Sequence, residues 1–233
     1  MVTKPLKGLG RTRKKARAIH RLLNHAYHVP DLGNLADPLE ELVFISLSRQ
    51  THQANVRRTW EALVRQGGVE GVRRASTASL ERLLKPGGFS RQKARWIKQA
   101  LDLVVDRFGE LSLDKAREMS DDDLEAFLCS LPGIGIKSAK CIMMYSMGRK
   151  VLPVDTHVRR LATRVGLVPG GLSERRMHQA LETIIRGNDR YAFHVNAICH
   201  GRAICIPRSP RCKECVVVEY CDFGRKRVGL VST

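Results

Sequence analysis

The sequence predicts an all-α protein, and three observations predict it. Apolar residues recur at helical spacing along almost the whole chain. No stretch alternates apolar and polar residues for long enough to make a useful strand. Glycines, prolines and capping residues divide the chain into short segments with tight loops, about ten helices in all. At 233 residues the chain can bury a core without disulfide staples.

Each element has its own reason. Residues 12–28 place Ala16, Ile19, Leu22, Leu23, Ala26 and Tyr27 on one stripe, with Arg and Lys opposite. A second helix starts at Asp37-Pro38-Leu39-Glu40: Asp37 caps, Pro38 suits the first turn and Glu40 closes a capping box. The third carries Val56, Trp60 and Leu63, and Gln66-Gly67-Gly68 ends it. A short helix follows Thr77 and breaks at Pro86-Gly87-Gly88; residues 90–107 then turn Ala94, Ile97, Leu101 and Val104 inward. Ser120 caps a helix whose first turn holds Asp121, Asp122 and Asp123, where the helix dipole favours acids. An apolar helix, SAKCIMMYSMG, comes next, then one starting near Asp155, one capped by Ser173, and a last one over residues 190–200.

Lys and Arg exceed Asp and Glu by 41 − 23 = 18. So large a surplus implies an anionic partner; nucleic acid is the commonest and an acidic membrane the rival. No run of about 18 apolar residues occurs, so nothing spans a bilayer. The N-terminus is basic but lacks the apolar block of a secretory signal. A mitochondrial transit peptide shares that composition; a basic loop running into the first helix is the preferred reading. Seven cysteines, an odd number, without an export signal point to a reducing compartment, where clustered cysteines hold metal. Cys129, Cys141 and Cys199 lie in apolar stretches and read as small core residues.

Three motifs carry chemistry. The first is LPGIGIKSAK, residues 131–140. Gly133 and Gly135 can take positive φ and leave the backbone uncovered. Their N–H groups then join those at the start of the next helix as a cradle for an anion, with Ile134 packed inward to fix the hairpin. The plain alternative is a pair of helices whose glycines only permit close packing. Lys137 reads either as a phosphate contact or as something more. The second motif is VDTH, in which Asp155 suits a helix cap. The third is Cys205-x6-Cys212-x2-Cys215-x5-Cys221, which four-cysteine zinc and iron–sulfur sites could both use.

The hairpin pattern, VDTH and the 6-2-5 cysteine spacing, in that order, resemble the endonuclease III family of helix-hairpin-helix, iron–sulfur DNA glycosylases. The resemblance runs from about residue 35 to Cys221. It implies a helix-hairpin-helix glycosylase fold with two helical domains and a cleft between them: 38–150, ending with the hairpin, and 1–37 plus 151–233, holding a [4Fe–4S] cluster on the four cysteines. It implies base-excision repair, with removal of oxidised pyrimidines and strand cleavage by an AP lyase step. Lys137 inherits the role of amine nucleophile and Asp155 that of catalytic carboxylate. Such an amine has a pKa depressed by desolvation and neighbouring cations. Glycosidic cleavage develops positive charge on the sugar, which a fixed carboxylate stabilises. The amine attacks C1′ to form a Schiff base. That acidifies the C2′ hydrogen, and β-elimination nicks the strand.

The same resemblance assigns DNA contacts. Gln50 in LSRQTHQAN enters the helix opposite the flipped base, or is an exposed helix end. Arg49 stands where the family has a small residue. Phe89 in PGGFSRQKAR is the wedge, where the family has an aliphatic, or else a core residue. Arg208 and Arg211 grip phosphates from the cysteine loop. His157 approaches a phosphate or simply packs, and His200-Gly201-Arg202 supports the cluster domain. The implied partner is double-stranded DNA with a damaged base or abasic site, met by a monomer. The implied compartment is the cytoplasm of a prokaryote, or the nucleus or mitochondrion of a eukaryote. Two other readings stay open: an adenine-mismatch glycosylase relative, whose members carry no lysine at this position and have a further C-terminal domain, and a non-catalytic DNA-binding protein with a zinc loop.

Overall fold

The computed structural model describes residues 8–49, 51–85 and 88–230, without the side chain of Gln53. Gln50 lies outside the described residues. These form twelve α-helices: α1 Leu9–Tyr27, α2 Pro38–Ser48, α3 Gln53–Arg65, α4 Gly68–Arg74, α5 Thr77–Leu84, α6 Ser90–Phe108, α7 Asp121–Ser130, α8 Ile136–Tyr145, α9 Thr156–Arg164, α10 Glu174–Ile184, α11 Arg190–Ala203 and α12 Asp222–Arg227. No strand occurs among the described residues, and no helix there is long and apolar enough to cross a membrane.

The caps sit where short polar side chains invite them. Asp37 Oδ1 accepts from the Leu39 and Glu40 N–H groups at 2.9 and 2.8 Å. Ser120 Oγ accepts from Asp123 N–H at 3.1 Å, and Ser173 Oγ from Arg176 N–H at 3.4 Å. Each such cap stabilises its helix by about 1 kcal/mol.

Gln66-Gly67-Gly68 ends α3 as the sequence predicts, and a further helix, α4, follows that the sequence did not show. Gly67, at φ 95°, turns the chain straight into it. Gly71 inside that helix lets it fold back, since a Cβ there would sit 2.0 Å from the Gln66 carbonyl oxygen. A short helix, α12, also follows the last cysteine.

The chain divides into two compact units, Gly33–Arg149 and Met1–Leu32 with Lys150–Thr233. The first, the hairpin unit, contains α2 to α8. Its fully buried side chains include Leu42 of α2, Leu63 of α3, Leu80 of α5, Ile97 and Leu101 of α6, and Leu124 and Leu128 of α7. Replacing such a leucine by alanine costs about 2–5 kcal/mol. The buried Lys93 of α6 holds the end of α2, donating to the Leu47 carbonyl at 2.9 Å and to the Thr51 hydroxyl. Burial, then the nearby Arg49, pushes its pKa down.

The second, the cysteine unit, contains α1 and α9 to α12. Ile19 and Leu23 of α1, Val158 and Leu161 of α9, Leu181 of α10 and Phe193 of α11 form its core, and Cys221 packs against the same cluster. Lys15 of α1 pairs with Asp222 of α12 at 2.7 Å.

Candidate nucleic-acid interface and catalytic groups

The hairpin joins α7 to α8. Gly133 is left-handed at φ 81°, and a Cβ on it would meet the Trp96 ring at 2.7 Å. Conformation and packing both require glycine there. Gly135 does not take the positive φ the sequence allowed it. It is extended at φ −100°, ψ 176°, and a Cβ on it would meet nothing within 4 Å. What glycine leaves at 135 is bare backbone on open surface. The N–H groups of Gly133 and Gly135 have no acceptor among the described residues, at the positive end of α8. Ile134 is only 5 % exposed, and its N–H bonds the Leu131 carbonyl at 3.1 Å. Ile134 therefore pins the turn.

Arg49 also belongs to this hairpin. Its guanidinium donates to the Gly133 carbonyl and lies 5.0 Å from the centre of the Trp96 ring. The side chain that departs from the family pattern is a clamp on the turn.

Lys137 is the second residue of α8 and is half-buried. Its charge acts on Glu41 of α2, a residue that no motif singles out. Glu41 is fully buried. Asn34 Nδ2 donates to Oε1, and the Leu35 N–H donates to Oε2 at 2.8 Å. Burial pushes its pKa up to about 7, and the Leu35 and Asn34 bonds and the Lys137 charge each pull part of the way back. One turn along α8, Lys140 pairs with Glu125 of α7 at 2.9 Å, largely out of water. That pair ties the two hairpin helices together.

Asp155 is the N-cap of α9. Its Oδ1 accepts from the His157 and Val158 N–H groups at 2.9 and 2.8 Å. The cap holds the carboxylate in one orientation and leaves Oδ2 outside those two bonds. His157, two residues on, packs. A Cβ on Gly201 of α11 would lie 2.5 Å from its Nδ1, and that nitrogen is 3.0 Å from Arg160 Nη2. Burial lowers its pKa, Asp155 opposes that, and Arg160 and Arg202 add to it.

The cysteine loop is braced by arginines of α9. Arg160 Nε donates to the Cys205 carbonyl at 2.7 Å. Arg164 Nη1 reaches Cys205 Sγ at 3.3 Å and the Ile206 carbonyl at 2.8 Å. The Gly224 N–H donates to Cys221 Sγ at 3.1 Å. Cys215 Sγ lies 3.5 Å from Nε2 of the fully buried His200, whose Nδ1 is 2.9 Å from the Tyr27 hydroxyl. Burial, then Arg160, lowers His200 to about 4, so it is a neutral imidazole. Burial raises the Cys215 thiol to about 11, and Cys221, Cys205 and Cys212 push it the same way. Cys215 and Cys221 thus feel the charge of other sulfurs of the loop, although no three side chains among the described residues stand together as a metal site. Between the first two cysteines the Arg211 N–H bonds the Ile204 carbonyl at 3.0 Å. Arg208 and Arg211 project into solvent from that closed loop.

Phe89 is 62 % exposed, so it is not a core residue. It precedes α6 with φ 51°, a left-handed backbone that is uncommon for an aromatic residue. The structure thus groups Gly133, Ile134, Gly135, Lys137 and Phe89 in the hairpin unit. Asp155, His157, the four cysteines, Arg208 and Arg211 fall in the cysteine unit. The supports missed from sequence, Glu41, Lys140, Tyr27, Arg160 and Arg164, meet their partners through the fold. Only Lys140, three residues after Lys137 on the same helix face, had a local signal.

Residues 43–186 match the family model described as the HhH-GPD superfamily of base excision DNA repair proteins. Endonuclease III of Synechocystis sp. is 31% identical over 191 residues, covering 81% of this chain and 82% of that one. The chain belongs to the endonuclease III family. Endonuclease III of Thermotoga maritima is 29% identical over 192 residues, 82% of this chain and 85% of the relative. A solved structure of a trapped endonuclease III–DNA covalent intermediate matches with TM-score 0.81 at 25% identity, over 98% of this chain and 100% of that one. As an endonuclease III homologue the chain is a DNA glycosylase of base excision repair.

Proposed function

We propose that the chain removes oxidised pyrimidines from duplex DNA and then nicks the strand by β-elimination. Lys137 is the nucleophile and Asp155 the carboxylate, both acting on one deoxyribose. The observation that carries the reading is Lys137 in the first turn of α8, directly behind the bare backbone of Gly135. A phosphate bound to those N–H groups brings its sugar to the amine. Asp155, oriented by its cap, stabilises the positive charge that develops as the glycosidic bond breaks. The neutral amine of Lys137 then bonds to C1′ and gives one proton to the departing base; the C1′–O4′ bond breaks, O4′ takes the second amine proton, and the opened sugar is the Schiff base. Loss of the C2′ proton expels the 3′ phosphate. Phe89 and Gln50 occupy the stack from which the base has swung, and Arg208 and Arg211 hold the backbone.

Cys205, Cys212, Cys215 and Cys221 offer the four-thiolate donor set of a [4Fe–4S] cluster. The sulfurs of Cys205 and Cys221 already receive N–H donors, as cluster sulfurs do. The 6-2-5 spacing, shared with the iron–sulfur loop of the family, favours a cluster over zinc. Bound there, the cluster supplies a cross-link that fixes the loop carrying Arg208 and Arg211. The hairpin unit then serves as the bundle domain and the cysteine unit as the cluster domain. The compartment is that of the chromosome, the cytoplasm in a prokaryote. The trapped endonuclease III–DNA intermediate supports a covalent lyase step, and lysine at position 137 disfavours the adenine-mismatch reading.

Borohydride reduction of the protein mixed with an abasic duplex tests this. The native chain should form a covalent protein–DNA species, and Lys137→Ala should form none while still binding the duplex. Trapping by the alanine variant would refute the role of Lys137.

A further inference from the structure

Outside the hairpin and the cysteine loop, the outer face of α1 has no assigned part. Its 19 residues contain six Lys or Arg and no Asp or Glu. Two of the six serve the fold: Lys15 pairs with Asp222, and Arg13 donates to the Thr183 carbonyl at 3.1 and 3.0 Å. Arg11, Lys14, Arg17 and Arg21 are exposed, and none makes a side-chain hydrogen bond or ion pair among the described residues. Lys14, Arg17 and Arg21 are spaced three and four apart, so they form one stripe. It runs for about 10 Å along the helix axis.

Arg186, in the loop after α10, is exposed and lines two grooves together with Arg17. The acids on the walls are engaged: Glu182 Oε1 accepts from the Leu152 N–H at 2.8 Å, and Asp189 lies 3.8 Å from His20 Nε2. The groove is therefore strongly positive.

The fold gains nothing from this stripe. Like charges at these spacings destabilise a helix by about 0.2–0.5 kcal/mol per pair, and acids would suit its first turn better. About 10 Å is three phosphate steps along one strand of a duplex, at roughly 3.4 Å each. No large apolar side chain of α1 is exposed, as the core of a protein interface would need. Nor does the stripe hold an aromatic platform for single-stranded bases.

We infer that Lys14, Arg17 and Arg21, with Arg186, form a second phosphate-binding surface that holds duplex DNA away from the damaged nucleotide. The inference rests on the proposed action of the chain on duplex DNA. It adds a sequence-independent grip for search and retention on undamaged DNA.

The test compares the native chain with the triple variant Lys14→Gln, Arg17→Gln, Arg21→Gln on an undamaged 30-bp duplex (roughly three turns) across a salt series. The slope of log affinity against log salt should fall by about 2 to 3, at ~0.9 for each phosphate that is no longer neutralised. Affinity at low salt should fall roughly tenfold or more. Single-turnover excision from a lesion duplex at saturating protein should be unchanged. The charge-conserving variant Lys14→Arg, Arg17→Lys, Arg21→Lys should keep the native slope, which excludes damage to the fold. A native slope in the glutamine variant overturns the inference, as does a loss seen only against polyglutamate. A native chain that neither binds nor cuts lesion duplex would sink the functional reading instead.

Discussion

Of the chain's surplus of 18 positive charges, 15 lie in the cysteine unit and 3 in the hairpin unit. The cysteine unit has 23 Lys and Arg against 8 Asp and Glu; the hairpin unit has 18 against 15. The hairpin unit nearly matches its cations with acids, and engages several of them internally, while others such as Arg57, Arg58, Arg65, Arg91 and Arg95 are exposed. Lys140 is paired with Glu125, Arg149 with Asp121, and Arg49 is clamped to Gly133. Its anion site is made of N–H groups and a helix dipole, which carry orientation but little net charge. The cysteine unit leaves cations facing water, on α1 and on the cysteine loop. Most of the net positive charge therefore lies in one unit and the proposed directional anion site in the other.

Breaking that division begins with Asp155, one of the eight acids in the cation-rich unit. Asp155→Asn should slow excision by about 100- to 1000-fold. Asparagine caps as well as aspartate, so thermal unfolding should not change, whereas Asp155→Ala also loses about 1 kcal/mol. Unimpaired turnover in the asparagine variant would remove the carboxylate from the mechanism.

A smaller effect concerns the nearly neutral unit. The folded pKa of Glu41, about 7, lies above its ordinary 4.5. The folded chain thus holds an extra proton between those values. The stability this proton adds is full below pH 4.5 and is lost as pH rises through 7, a change of about 3 kcal/mol. Glu41→Gln removes this titration. The variant's unfolding free energy relative to native should therefore increase by about that amount between pH 4.5 and 8. Urea unfolding across this range measures it; a pH-independent difference would mean that Glu41 is not held protonated.

The smallest effect sharpens the contrast. Replacing both Arg208 and Arg211 by Gln should lower the salt slope of duplex binding by about 2 and leave the single-turnover rate at saturation alone. A change in that rate with an unchanged slope would assign the loop to positioning.

Much of this was legible because it is local. Asp37, Ser120, Asp155 and Ser173 cap helices through N–H groups two or three residues away, so each cap can be read from a short window. The cysteines declare a ligand set within 17 residues of chain. The hairpin reads from a decapeptide, although the reason for its second glycine does not: Gly135 needs no unusual backbone, and only the open space around it shows what glycine leaves there.

The sequence by itself determined the helices, the order of the motifs, the residue types available for chemistry and the excess of positive charge. These follow from spacing and composition, which the chain carries whether folded or not. Only the tertiary structure decided that Glu41 is buried within reach of the Lys137 charge, that Arg49 stacks on Trp96, that His157 rests on Gly201 and that Arg164 braces Cys205. Burial and pairing of charge depend on which distant segments exclude water from one another, and no local window holds that information.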